Sequence, residues 1–303
     1  MSNLPPPPVL LARDLVAQGY RYSDLRQLAR RGELQHLRRG AYSRDDAELG
    51  EESRHRQLVA ATMPMLSAAV VSHVSAAVLY GLPVPPGPLD HVQVTSAGAA
   101  SGRRGHVHRY AAPLAEGEIA VVAGLPVTSL ARTVVDLGRT LPFADAVAAA
   151  DAALRTGLDR TEVEQVLARA AGRPGVATAR RVVAFADARS ESAGESHSRV
   201  VLHAIGLPPS SLQYEVVDAN GRVIARCDFG WEEHRTVGEF DGLVKYGRLL
   251  KPGQTVGEVV HGEKHREDSV RDLGYAMVRW GSSDLQRERV LGDRLRRAFA
   301  RAR

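Results

Sequence analysis

Val223-Ile224-Ala225-Arg226-Cys227-Asp228-Phe229-Gly230-Trp231, followed by Thr236-Val237-Gly238-Glu239-Phe240-Asp241-Gly242, is the stretch on which the reading of this chain turns. Both runs read as strands by their β-branched and aromatic content. Leu212 to Asp218 is a strand before them, and Ala219-Asn220-Gly221-Arg222 carries the Asn-Gly signal of a hairpin turn. Upstream, Val200, Val201, Leu202 and Ile205 predict a helix over Ser190 to Ile205, closed by Gly206-Leu207-Pro208-Pro209. Downstream of a loop rich in Gly and Lys, Glu263 to Gly274 reads as a charged helix, Tyr275 to Trp280 as a final strand and Asp284 to Ala300 as a closing helix. The predicted order for 190–303 is αβββαβα, an α+β unit.

The carboxylates of that unit invite a chemical reading. Glu239 follows Asp228 by eleven positions, on the next strand. Alternation puts Glu239 and Asp241 on one face, flanking Phe240. Carboxylates on adjacent strands can converge to metal-bridging distance, and Glu195 on the preceding helix can reach the same edge. Mg²⁺ takes a few carboxylate oxygens and keeps waters, leaving positions for a phosphate oxygen and an attacking water. The plainer reading pairs Asp228 and Glu239 with Arg226 or Arg279, and Glu195 with Arg199 one turn on. His197, His203, His234, His261 and His265 form no zinc spacing, and a single cysteine cannot complete a structural site. Cys227 alternates away from Asp228 and has no paired base, so it is not read as a nucleophile.

Order and motifs together resemble the PD-(D/E)XK nuclease superfamily, in particular domains akin to the very-short-patch-repair endonucleases. The residues that carry the resemblance are Glu195-Ser196-His197-Ser198-Arg199, Arg226-Cys227-Asp228-Phe229, Glu239-Phe240-Asp241-Gly242, the helix from Lys264 to Asp268, and Val278-Arg279-Trp280. It covers nearly all of 190–290 and implies that Asp228 and Glu239 bind Mg²⁺, with Glu195 as a further acidic ligand and Asp241 assisting. Two positions depart from the pattern. Cys227 stands where a proline precedes the first Asp, and Asp241 stands where a lysine follows Glu239 by two. That lysine positions water and stabilises developing charge. Lys245 or Lys264 can supply a relocated ammonium, and Arg266 can contact phosphate.

The N-terminal part reads as a DNA-binding element. Residues 1–8 are a proline-rich tail expected to be disordered or extended. A helical pattern begins at Leu10 with Leu11, Leu15 and Val16, and a second helix is signalled by Ser23 as N-cap and stopped by Gly32. A short hairpin then turns at Arg39-Gly40. Two short helices and a hairpin make a winged helix-turn-helix over 9–50. Met1 to Arg44 holds eight arginines against three carboxylates, an excess of +5 that equals the net charge of the whole chain. Arg26, Arg30 and Arg31 lie on the second helix and Arg38 and Arg39 in the hairpin, the elements a winged helix presents to DNA. The plainer alternative is a solvated arginine face on a small helical domain.

Residues 51–155 predict a mixed α/β block, and 156–189 a helical connector. Leu34 to Tyr42, Ser72 to Ala77 ending in Tyr80-Gly81-Leu82-Pro83, and Pro126 to Thr133 with Asp136 resemble the AbiEi family over about residues 8–155. AbiEi proteins are antitoxins of type IV toxin–antitoxin systems whose winged helix represses their own operon. The resemblance implies DNA binding and partnership with a nucleotidyltransferase toxin encoded nearby, and no chemistry. His73 and Ser75 on their apolar helix read as capping or core groups.

Composition sets the outer bounds. With 44% hydrophobic and 25% charged residues in 303 positions, the chain has the profile of a folded protein of two or three domains, not a disordered one. No apolar run is long enough for a membrane span. Met1 to Pro8 shows no secretory pattern, and one cysteine suits a reducing bacterial cytoplasm. Two readings stand: a DNA-binding protein of toxin–antitoxin or defence type with a Mg²⁺-dependent nuclease domain, or a non-enzymatic antitoxin and autorepressor on an inactive nuclease fold.

Overall fold

A computed structural model describes residues 9–44, 50–87, 89–98, 100–242 and 265–301. The tail 1–8 lies outside the described residues, as do Lys245 and Lys264. The chain divides into two units, one through Phe185 and one from Ala186, and both mix helices with sheet.

In the first unit, strand β1 (Val9–Leu11) precedes α1 (Ala12–Ala17), α2 (Tyr22–Arg30) and the hairpin β2 (Gln35–Arg38) and β3 (Ala41–Ser43). The helix expected from Leu10 therefore begins only at Ala12. Val9, Leu10 and Leu11 instead pair with Ser43, Tyr42 and Ala41, completing a sheet of order β1-β3-β2. Pairing with the hairpin satisfies three residues of main chain and lets Leu10 pack beside Leu15, Leu25, Leu34 and Tyr42, so tertiary pairing overrides a local helical pattern. Ser23 is not the N-cap of α2. The N-cap is Arg21, two residues earlier, and the Asp24 carboxylate accepts its N–H at 2.9 Å.

The rest of this unit is built on a mixed six-stranded sheet. Its strands are β4 (Val70–Val71), β5 (Val92–Ser96), β6 (Gly102–Arg104), β7 (Val107–Ala111), β8 (Ile119–Val122) and β9 (Leu125–Thr128), in the order β6-β7-β5-β4-β9-β8. Helices α3 (Glu51–Thr62) and α4 (His73–Tyr80) accompany it, with Val59, Val71, Val92, Val94 and Val127 in a shared core. Four helices follow: α5 (Leu130–Thr140), α6 (Phe143–Arg155), α7 (Arg160–Arg169) and α8 (Val176–Phe185). Ser129 accepts the Arg132 N–H to start α5, and Asp159 accepts the Thr161 N–H to start α7.

In the second unit the expected order holds among the described residues. It runs α9 (Ala193–Ala204), β10 (Ser211–Val217), β11 (Val223–Trp231), β12 (Thr236–Phe240), α10 (265–272), β13 (Ala276–Trp280) and a closing helix Glu288–Arg301. The closing helix is shorter than expected. Asp284 accepts the Gly281 N–H and closes a separate turn, Ser282–Leu285, before the longer helix begins. The sheet order is β10-β11-β12-β13, with β12 and β13 parallel and the other pairs antiparallel.

Each face of this sheet has its own core. Phe229, Trp231, Phe240 and Trp280 cluster with Leu202 of α9 and Leu295 of the closing helix. Val216, Ala225, Cys227 and Val237 cluster with Val270 of α10. Cys227 and Phe229 are two apart in one strand yet belong to different cores, so β11 changes sides at Asp228. Close approach of α9 to the end of β12 depends on Gly194, where a Cβ would collide with the Phe240 ring.

Candidate functional site

The side change at Asp228 is what creates a polar site at this sheet. β11 pairs with β12 through Phe229, Gly230 and Trp231 opposite Gly238, Val237 and Thr236. Beyond that register the Asp228 Oδ2 accepts the Phe240 N–H at 2.8 Å, taking the place of a main-chain acceptor. Alternation sends Glu239 to the α10 face, where its carboxylate is almost fully buried between two guanidinium groups. Arg266 Nη2 lies 2.9 Å from Oε1 and Arg279 Nη2 lies 2.9 Å from Oε2. Arg279 is the register partner of Glu239 on β13, and Arg266 comes from the first turn of α10.

Glu195 enters from α9, where it is the third residue after the N-cap Ser192. Its N–H donates to Ser192 Oγ, and its Oε1 accepts from that hydroxyl at 2.8 Å. Oε2 accepts the Glu191 N–H at 2.8 Å and Gln213 Nε2 at 2.9 Å. Gln213 holds a left-handed backbone (φ +52°) in β10, a strained conformation for a non-glycine residue of the kind found at functional sites. Arg199 lies toward Asp187 at 3.7 Å and not toward Glu195.

Asp228 is close enough to act electrostatically on both glutamates. Burial pushes the Glu195 carboxyl above its ordinary range, and Asp228 adds to that. Burial also raises Glu239; Arg266 and Arg279 pull it down, while Asp228 and Asp241 push it up. Cys227 is driven up to about 12, first by burial and then by Glu239, which keeps it a protonated core thiol.

The three carboxylates have the right chemistry for Mg²⁺, but their arrangement does not fit it. Among the described residues no three His, Cys, Asp or Glu side chains are grouped to hold a metal ion. Glu239 faces guanidinium groups with both oxygens, and one Asp228 oxygen is engaged by main chain. Asp241, the position of the expected lysine, donates its own N–H to the Trp280 carbonyl at 2.8 Å. Arg266, expected to contact phosphate, is occupied with Glu239.

On the first unit the structure sorts the five expected DNA-binding arginines. A groove of about 950 Å³ between α2 and the β2–β3 hairpin is lined by Arg13, Tyr22, Arg26, Arg30, His36 and Arg39 among others, and no carboxylate is in the lining. Arg26, Arg30, Arg31 and Arg39 are exposed. Arg31 lies outside the groove and 3.9 Å from Glu33. Arg38 turns inward: it is 7% exposed, and its Nε donates to the Ala61 carbonyl at 3.1 Å while Nη1 donates to the Arg39 carbonyl at 2.7 Å. It fastens the hairpin to α3. Arg13, Tyr22 and His36 are groove residues that the sequence reading missed; the aromatic and basic side chains flanking the hairpin were the available signal.

His73 and Ser75 are core groups, as expected. Ser75 is fully buried, its hydroxyl lying 2.8 Å from His55 Nε2 and accepting the Gln93 N–H at 2.8 Å. His73 stacks on Tyr110 with ring centroids 3.6 Å apart and sits at φ +52°. Burial lowers its pKa from 6.5 to about 4. The folded state thus prefers neutral His73, so its contribution is complete above pH 6.5 and is lost as pH falls toward 4. Full protonation is expected to remove about 3 kcal/mol. His73→Asn keeps a residue tolerant of the left-handed backbone and is expected to flatten the fall in urea midpoint between these pH values. An unchanged slope in the variant counts against the assignment.

No family model matches the chain. It is similar to two uncharacterized proteins of Mycobacterium tuberculosis, MT2308 (strain CDC 1551 / Oshkosh) and Rv2248 (strain ATCC 25618 / H37Rv). Each is 34% identical over 184 residues, 60% of this chain and 65% of the relative. The match therefore spans just under two thirds of these relatives' length.

Proposed function

We propose that this chain is a DNA-binding protein of toxin–antitoxin or defence type, which grips DNA through a winged helix-turn-helix and uses its C-terminal nuclease-like unit as a non-hydrolytic scaffold. The observation that carries the first half is the arginine groove between α2 and the hairpin, lined by no acidic side chain. Of the five arginines lining it, the four exposed ones (Arg13, Arg26, Arg30 and Arg39) with Tyr22 and His36 offer phosphate contacts together with stacking or hydrogen-bonding groups, the mixture a duplex requires. The two helices, the hairpin and the third strand β1 support the winged-helix assignment. Autorepression, and a nucleotidyltransferase toxin as protein partner, rest on the AbiEi-like motifs alone. For the second half, support comes from Glu239 being neutralised by Arg266 and Arg279, and from Asp241 standing in place of a lysine.

Fluorescence anisotropy with a labelled duplex from the chain's own promoter tests this. Arg26→Ala/Arg30→Ala is expected to weaken binding about 100-fold and to reduce the log–log salt slope by about two. Arg31→Ala, outside the groove, is expected to change binding by less than about threefold. An unchanged salt slope in the double variant would sink the groove assignment.

A hydrolytic reading draws on one observation, that Asp228 acts on both Glu195 and Glu239. Supercoiled DNA incubated with the chain and Mg²⁺ separates the two. No nicking is expected; nicking abolished by Asp228→Ala and by Glu239→Ala, with DNA binding intact, would replace the scaffold by a nuclease.

A further inference from the structure

We infer that the outer edge of strand β8 pairs with the β8 of a second copy of this chain, joining two six-stranded sheets through a two-fold antiparallel contact centred on Ala120. This edge takes no part in the arginine groove or in the carboxylate site. The two edges of the six-stranded sheet are built differently. At one, β6 sets Arg103 and Arg104 in solvent, the kind of charge that blocks strand-to-strand pairing. At the other, β8 reads Ile119-Ala120-Val121-Val122 and carries no charge. Val121 is 74% exposed and Ile119 43%, and the exposed Pro126 stands opposite Val121 on β9. Val122 and Leu125 pack on the core, so this hairpin is apolar on both faces, where a hairpin with one covered face carries polar residues on the other.

Main-chain geometry decides which groups the edge offers. Ala123 (φ +49°) and Gly124 (φ +76°) form a two-residue turn, so the closing pair Val122–Leu125 exchanges hydrogen bonds, and so does Ala120–Val127. The N–H and C=O groups of Ile119 and Val121 therefore point away from β9, to an edge where no strand pairs with them among the described residues. Antiparallel pairing about Ala120 sets Ile119 of each copy against Val121 of the other. Both N–H and both C=O groups then find partners, and β-branched side chains meet across the join. No charge opposes its like, because the neighbouring Glu118 buries its carboxylate against Arg132 and Arg169. The same two-fold operation on β6 would bring Arg103 against its own copy. An interface that uses one patch twice requires this self-complementarity, and β8 has it.

Size exclusion with light scattering reads the mass of the full chain over a concentration series without DNA. The contact is small, so a rise toward the mass of two copies is expected only as the chain approaches about 100 µM. Val121→Lys, at a site exposed enough to leave the fold intact, is expected to weaken association at least about tenfold, while Val121→Thr keeps it. Ala120→Cys in oxidised glutathione is expected to give a disulfide-linked dimer, because the two Ala120 Cα atoms would face each other at about 4.5 Å. Val121→Cys is more exposed but would lie about 8 Å from its own copy in this register, and is expected to stay unlinked. The native Cys227 is buried and takes no part. Should Ala120→Cys not fold, the Val121 variants carry the test alone. A wild-type chain that keeps the mass of one copy throughout overturns the inference. So does a dimer indifferent to Val121→Lys, or a Val121→Cys chain that links as fast as Ala120→Cys.

Discussion

Arg132→Ala is expected to remove about 3–5 kcal/mol from the first unit, because it strips one partner from two buried carboxylates at once. Arg132 is 2% exposed, with Nε 2.9 Å from Asp136 Oδ2 and Nη1 2.6 Å from Glu118 Oε2. Asp136 also pairs with Arg139 at 3.1 Å, Glu118 also pairs with Arg169 at 2.8 Å, and Arg173 acts electrostatically on both. Burial alone would raise the Glu118 carboxyl; the Arg169 hydrogen bond and the Arg132 charge overcome that and hold it below the ordinary range. Its stabilising contribution is therefore present at neutral pH and lost as pH falls through the lowered value. In the variant that counterweight is gone, so the gap from wild type should narrow in acid, where protonated Glu118 no longer needs it. Arg132→Lys keeps the charge but not the two-pronged geometry and should lie between. Far-ultraviolet circular dichroism should report the loss while tryptophan fluorescence, confined to the second unit, keeps its midpoint. A variant within about 1 kcal/mol of wild type would mean that the network is not what holds α5 to the β8–β9 hairpin.

How much of this was legible in the sequence depends on whether a signal was local. The strand Val223–Trp231 and its turn were readable because Asn220-Gly221 fixes the hairpin and the flanking residues favour strands. β6 was not: Gly102, Arg103 and Arg104 are all exposed, carry no apolar alternation, and pair with β7 at the edge of the sheet. β4 is two residues long and exists because β5 and β9 take up its edges. Neighbouring arginines Arg38 and Arg39 look alike in composition, yet Arg38, the last residue of β2, reaches the Ala61 carbonyl while Arg39, in the turn, is exposed. Which face is inward depends on α3, a separate element.

The same division runs through the site. Ser192 and Glu195 have the spacing of a capping box, so the structural role of Glu195 was readable locally even though a ligand role was expected of it. The partner of Glu239 was not, since Arg266 lies 27 positions away and only the packing of α10 brings it there. Gly194 was overlooked for a related reason. Its value lies in the ring of Phe240, one residue beyond Glu239.

Trp280→Ala is expected to be the most damaging single change in the second unit, at about 3–5 kcal/mol. Trp280 is 1% exposed and stacks on Phe229 with centroids 5.2 Å apart. It lies against Gly238, where a Cβ would strike its ring, so strand β12 is shaped to receive it. Its indole N–H donates to Ser198 Oγ at 2.9 Å, and that hydroxyl donates to the Gly194 carbonyl at 2.7 Å. Alanine therefore removes a large buried ring and leaves Ser198 without its donor. Trp280→Phe keeps most of the packing and loses the hydrogen bond, for an expected loss of about 1–2 kcal/mol. Because Trp280 pairs with Phe240 and the neighbouring Arg279 with Glu239, the alanine variant should also loosen the arginine clamp. Fluorescence of the remaining Trp231 supplies the urea midpoint. If alanine and phenylalanine variants unfold at the same urea concentration, ring volume is not what joins α9 to this sheet, and the hydrogen bond to Ser198 carries the connection instead.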